Sequence, residues 1–217
     1  MQVEVWADVI CPWCGLGAHR LDAALERFPH RDEVQVTRRS FQLDPGAAPG
    51  PGEPVRDMLR ARGLADAQID AMTRRVESLA ESEGLRPYHV LDNWVGSTGL
   101  AHELLAYAAD QGQQAAAWHR LFTAYFGEAR PIFSVGDLVA LAGEIGLDPG
   151  GARDALLSRR YAARVAQEGR EAAELGATGV PFFVIDRRYG VAGAQPAGTL
   201  LAALQRAWDE RPVTGRR

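Results

Sequence analysis

The chain has 217 residues, 47% hydrophobic and 24% charged, which is enough for one large domain or a core domain carrying a substantial insertion. Its net charge of −4, with arginine as the basic side chain throughout, gives no field that would gather nucleic acid or an anionic membrane. No apolar run approaches the ~18 residues needed to span a bilayer, no basic leader precedes the first apolar stretch, and two cysteines cannot build a disulfide framework, so a cytoplasmic protein with a redox or metal-binding cysteine pair is expected.

Residues 2–10 alternate and then turn apolar at Val9 and Ile10, which predicts a buried strand. Cys11 to Cys14 follows. Leu16, Leu21, Ala24, Leu25 and Phe28 then recur at helical spacing until Pro29 closes the run. Residues 34–43 alternate again. The opening therefore reads as strand, CxxC, helix, strand, with the cysteines at the helix start. Residues 44–54 hold four prolines and three glycines and read as a linker leaving the core.

From about 55 to 175 the pattern is helical throughout. Trp118, Leu121, Phe122, Tyr125 and Phe126 form an apolar stripe at i, i+3, i+4, i+7 and i+8, a core face and not a cofactor box. Breaks at Gly84–Pro87, Gly112, Gly127–Pro131 and Asp148–Gly151 predict a bundle of five or six helices. At 178–193 a β-hairpin returns, with Arg187 and Arg188 at its bend, and an amphipathic helix follows Pro196. The fold class expected is α/β: a βαβ…ββα core from residues 1–44 plus 176–209, interrupted by a large all-helical insertion at 45–175, with a tail at 210–217.

Cys11-Pro12-Trp13-Cys14 carries the chemistry. Disulfide exchange needs one accessible thiol with a depressed pKa and a second thiol to resolve the mixed disulfide. A helix N-terminus supplies unpaired N–H groups and a dipole for the Cys11 thiolate, and the spacing puts Cys14 on the first turn. Pro12 stands where a helix tolerates proline best. The competing reading, half of a zinc site, would need two further ligands from His19, His30, His89, His102, His119 or carboxylates, and no matching pair is spaced for it. Val180-Pro181, just before the hairpin, fits a cis X–Pro turn at which a strand backbone could pair with an incoming peptide.

Five segments now carry a resemblance: Asp8-Val9-Ile10-Cys11-Pro12-Trp13-Cys14, Phe41-Gln42-Leu43-Asp44-Pro45, Ser97-Thr98-Gly99-Leu100-Ala101-His102, Thr178-Gly179-Val180-Pro181-Phe182-Phe183, and Gly193-Ala194-Gln195-Pro196. Together they resemble the FrnE-like branch of the DsbA family of thioredoxin-fold proteins, in order along essentially the whole chain. The resemblance implies a helical domain inserted in a thioredoxin core and dithiol–disulfide exchange at the CxxC. Related isomerases of hydroxychromene carboxylates and kappa-class glutathione transferases place serine where Cys11 stands, so the retained pair favours redox chemistry. Strongly oxidising members carry histidine between the cysteines; Trp13 adds no positive charge there, so a less oxidising couple is expected. The buried carboxylate that such proteins often place six residues before the first cysteine is replaced by Val5. Asp8 reads as a turn or cap residue, which leaves the proton acceptor for Cys14 unidentified.

The site expected is thus Cys11 and Cys14 as catalytic residues, with Pro12, Trp13, Val180, Pro181, His102 and Gln195 toward substrate. Ser97 or Thr98 reads as an N-cap. No metal or organic cofactor is implied, and glutathione is the candidate co-substrate. Partners are protein or small-molecule thiols and disulfides, with no nucleic acid and no membrane, and monomer and homodimer both stay open. Three other readings remain: a glutathione-dependent transferase or isomerase of small aromatic compounds, a non-enzymatic holdase, and a zinc module.

Overall fold

The computed structural model describes residues 1–211. Strand β1 (Gln2–Ala7) runs into helix α1 (Pro12–Glu26), and β2 (Gln35–Ser40) returns beside β1. The two strands are parallel, in register from Gln2 opposite Gln35 to Ala7 opposite Ser40. A parallel pair needs a crossover, and α1 supplies it. After the helical region, β5 (Phe182–Ile185) and β6 (Tyr189–Ala192) add antiparallel to β1, giving the order β2-β1-β5-β6, and α9 (Ala197–Asp209) closes the core.

Alternation along the strands sorts the sheet into two faces. Val3, Val5, Phe183 and Ile185 pack with Leu21 and Ala24 of α1, with Phe28 just beyond it, and with Leu200 and Leu204 of α9. Trp6, Phe182 and Val184 turn the other way and pack on Ala172 of α8 (Ala162–Glu174). There the Trp6 indole N–H donates to the Glu168 carbonyl at 2.9 Å, and the Glu168 carboxylate accepts the Ser40 N–H at 2.7 Å. The sheet is therefore sandwiched between a core helix pair and a helix from the inserted region. This is a thioredoxin fold carrying a large, mostly helical insertion.

The inserted helices are α2 (Val55–Ala61), α3 (Asp66–Ser82), α4 (Gly99–Asp110), α5 (Gln114–Phe122), α6 (Val135–Glu144), α7 (Pro149–Leu157) and α8, with a π-helical turn at Thr123–Gly127. That is seven helices, not five or six. One missed boundary lies at Gly63, whose φ of +85° ends α2; the other lies at Arg159, a left-handed residue with φ of +53° and no glycine to signal it. Nor is the insertion all-helical. The end of the proline-rich stretch forms β3 (Glu53–Pro54), which pairs antiparallel with β4 (Trp94–Val95). The expected stripe is core as read: Trp118, Leu121, Tyr125 and Phe126 are all buried. That core extends without interruption into Ala7, Val9, Cys11, Cys14 and Leu16, so the cysteines sit where the insertion meets the sheet.

The hairpin bend falls one residue earlier than expected. Asp186 and Arg187 both take positive φ, the geometry for which Asn-Gly is the usual choice. Asp186 is held by two bonds with Gln2: its carboxylate accepts the Gln2 N–H, and its own N–H donates to the Gln2 carbonyl. The expected tail does not begin at 210, because Glu210 pairs with Arg206 and Arg211 stacks on Trp208. Residues 212–217 lie outside the described residues. The Val180–Pro181 and Arg86–Pro87 peptide bonds are cis.

Candidate active site

Cys11 is the N-cap of α1 and Pro12 its first helical residue. The Cys11 carbonyl already accepts from the Cys14 and Gly15 N–H groups at 2.9 and 3.3 Å, while its own N–H donates to the Asp8 carbonyl at 3.2 Å. The turn is thereby wound tightly enough to put both side chains on one side of the helix end. Both cysteines are free thiols, with 5% of Cys11 and 1% of Cys14 exposed.

The two thiols are driven in opposite directions. A hydrogen bond from the Cys14 thiol, joined by the backbone N–H groups of Cys14 and Trp13, holds Cys11 below an ordinary thiol against the opposing effects of burial and the Asp8 charge. Burial and the neighbouring Cys11 push Cys14 well up. A low-pKa sulfur at the helix end and a protonated one behind it are the two halves that exchange requires.

Three neighbours fix the outer face. The Val180 carbonyl lies 3.7 Å from the Cys11 sulfur and accepts its S–H. Pro181 packs directly on α1 because position 17 is glycine; a Cβ there would stand 2.8 Å from the proline Cγ. Tyr88, on the segment between α3 and β4, stacks on Phe126 and donates its O–H to the Pro12 carbonyl at 2.5 Å, so the insertion grips the CxxC turn. Buried Arg20 adds a second tie: its guanidinium pairs with Glu83 of the insertion and donates to the Ala194 carbonyl at 2.5 Å.

Pro12 and Trp13 form one wall of a cavity of about 380 Å³ between the core and α2 and α3. Ile10, Met58, Leu59, Met72 and Val76 line it, with Arg62, Asp44 and Glu53 as its charged groups. Leu43 and Met72 stand about half exposed at its edge. Among the described residues, no group of three or more His, Cys, Asp or Glu side chains comes together in a way that could hold a metal ion.

The remaining expected positions fall elsewhere. His102 is fully buried on α4, with its Nε2 3.1 Å from the Asp8 Oδ1, so it does not present itself to a substrate. Gln195 turns its amide back onto the Ala192 carbonyl at 2.9 Å and bonds neither cysteine. Thr98 is the N-cap of α4 but makes no side-chain cap bond. Asp8, read as a turn residue, has its side chain entirely inside the protein. Its position before the CxxC was visible in sequence; its partner, 94 residues away, was not. Nothing in the sequence marked Tyr88.

The geometry agrees with what the chain resembles. A family model described as a DSBA-like thioredoxin domain matches residues 2–205. A probable DsbA oxidoreductase from Streptomyces coelicolor is 44% identical, with a TM-score of 0.94 over 100% of this chain and 94% of that one. The cytosolic disulfide reductase DsbM from Pseudomonas aeruginosa, solved with GSH, is 25% identical with a TM-score of 0.63 over 96% of this chain and 100% of its own. A hydroxychromene carboxylate isomerase, at 17% identity and a TM-score of 0.72 over 97% of both chains, shares the fold. Among the described residues no helix is long and apolar enough to cross a membrane. The chain belongs to the DsbA-like thioredoxin domain family.

Proposed function

We propose that this chain is a dithiol–disulfide oxidoreductase in which Cys11 attacks and Cys14 resolves. The observation that carries the reading is the placement of the two thiols, Cys11 as the N-cap of α1 beside the Val180 carbonyl and Cys14 enclosed on the first turn behind it. Cys11 thiolate attacks a substrate disulfide; one S–S bond breaks, a thiolate leaves, and a mixed disulfide to Cys11 forms. Cys14 then attacks the Cys11 sulfur, the second thiolate leaves, and the Cys11–Cys14 disulfide remains for a thiol reductant to reopen. The Val180 carbonyl beside Cys11 is placed to align an extended substrate next to Pro181.

Protein disulfides and small disulfides are the substrate classes. A relative solved with GSH supports glutathione as the small thiol, and its cytosolic description supports a reducing compartment, where reduction or isomerisation outweighs net oxidation. Trp13 in place of a cationic residue between the cysteines is in keeping with that direction. A second reading rests on the cavity beside Trp13, whose mainly apolar lining and volume fall in the range of small-molecule sites: glutathione-dependent transfer or isomerisation of a small aromatic compound.

Insulin reduction with dithiothreitol separates the two. Exchange predicts activity in the unmutated protein that falls to background in Cys11→Ser. An inactive unmutated protein that binds glutathione, with turnover of an aromatic substrate surviving Cys14→Ser, would replace the first reading by the second.

A further inference from the structure

A second cavity, of about 280 Å³, opens on the side of α1 that carries Gly15, Ala18, His19 and Asp22, spaced as neighbours on one helix face. Neither cysteine lines it. Four rings form its apolar wall in a continuous run. Between ring centroids, Tyr88 stacks on Phe126 at 4.7 Å, Phe126 on Phe122 at 6.2 Å, and Phe122 meets Trp118 at 5.6 Å. Phe122 is half-buried, so the aromatic core of the insertion surfaces here. Arg38 of β2 supplies a charge on the same wall. Its side chain is only 14% exposed, yet among the described residues its guanidinium makes one hydrogen bond, a long one of 3.4 Å to the Asp22 carboxylate, whose side chain is 57% exposed. Arg20, comparably enclosed, spends its donors on both Glu83 oxygens and on the Ala194 carbonyl. A guanidinium has five donors, and holding them out of water without acceptors is costly. Those that Arg38 leaves over keep access to solvent. Arg86, also at the cavity, is exposed and turns its Nε to the Glu81 carbonyl at 2.8 Å.

We propose that this cavity binds a free aromatic α-amino acid, with its carboxylate on Arg38, its ammonium on Asp22 and its ring against Phe122 and Trp118. The planar fork of a guanidinium matches a carboxylate with two parallel bonds. Asp22 decides between ligand charges. A bare carboxylate that reached Arg38 would face the neighbouring Asp22 charge, and a bare amine at Asp22 would face Arg38. A zwitterion meets both with opposite signs. The ring run supplies the tilted and edge contacts that a fifth aromatic ring prefers. The volume lies at the small end of ligand sites, which limits the occupant to about one ring and its head group. Binding here needs neither thiol, so the assignment stands apart from the dithiol reading. It still reaches that centre, because Tyr88 on the cavity wall is the residue whose O–H holds the Pro12 carbonyl.

The test is calorimetric titration with three probes: L-phenylalanine, phenylpropionate, which lacks the ammonium, and phenethylamine, which lacks the carboxylate. Phenylalanine should bind saturably and more tightly than either truncated probe. Arg38→Met should weaken phenylalanine about tenfold or more, the scale of a hydrogen-bonded charge, and leave phenethylamine no weaker. Asp22→Asn should weaken phenylalanine by a smaller factor, because Asp22 is exposed, and leave phenylpropionate no weaker. Ala18→Leu, which fills the cavity from α1, should abolish phenylalanine binding and carries the test if Arg38→Met does not fold. Cys11→Ser should bind phenylalanine as the unmutated protein does. Phenylpropionate binding as tightly as phenylalanine, no saturable phenylalanine binding up to its solubility, or an affinity unchanged in both Arg38→Met and Ala18→Leu would overturn the assignment. Loss of binding in Cys11→Ser would move the ligand to the thiols and overturn it as well. Absence of insulin reduction would remove the dithiol reading and leave these binding results to stand by themselves.

Discussion

Cys11 and Cys14 stand one helical turn apart, yet the regions around them are built on opposite plans. The outer region, around Cys11, is made of backbone: a helix end, the Val180 carbonyl and the ring of Pro181, with the cavity wall of Pro12 and Trp13 beside it. The inner region, around Cys14, is made of buried side chains drawn from distant parts of the chain, with the Asp8 charge acting on the sulfur and His102 paired to Asp8. The difference teaches how one short motif yields two unlike thiols. The Cys14 thiol, joined by the backbone N–H groups of Cys14 and Trp13, lowers the first, whereas enclosure by the insertion raises the second, which needs the whole fold.

The comparison breaks most visibly if the two roles are exchanged. Cys14→Ser should still attack but be unable to resolve, so incubation with oxidised glutathione should leave a stable mixed disulfide at Cys11, seen as an added glutathionyl mass. Cys11→Ser should show no such adduct; an adduct on Cys14 in that variant would mean that burial does not silence the inner thiol. A smaller effect sharpens the outer half. In Gly17→Ala the new Cβ meets Pro181, so the variant should lose about 1–3 kcal/mol in denaturant unfolding through overpacking. It should also slow insulin reduction as Val180 is displaced from Cys11. Unaltered stability would show that the proline gives way freely.

The smallest effect lies away from both thiols. Burial alone would raise the Glu4 carboxyl, but hydrogen bonds from Arg187 and Arg39 outweigh it and hold the group below its ordinary value of 4.5. The unfolded chain then takes up this proton first as pH falls. The stability that Glu4 contributes is therefore complete at neutral pH and lost as pH drops below about 4.5 through the folded value. Thermal melts of Glu4→Gln should be less steep in pH over that acid window, and an identical slope would remove Glu4 from the account.

Most of the outer region was legible in the sequence, because it is local: strand, CxxC, helix and hairpin each announce themselves within a dozen residues. The inner region was not. Asp8 to His102 spans 94 residues and Tyr88 to Pro12 spans 76, and no periodicity in either segment encodes such a meeting. Helical spacing does not tell which way His102 faces: its ring turns inward to Asp8, and Gln195 spends its amide on the Ala192 carbonyl of its own hairpin. Two helix ends went unread for a similar reason. Arg159 takes a left-handed conformation with no glycine to mark it, and Gly63 was one glycine among 23.

The central claim is the opposition of the two thiols, and pH-dependent alkylation of the reduced protein with peptide mapping tests it most directly. The account predicts that Cys11 is modified with a midpoint below that of a free thiol, while Cys14 stays unmodified until the protein unfolds. Equal labelling of both cysteines across the titration, or earlier labelling of Cys14, would contradict it.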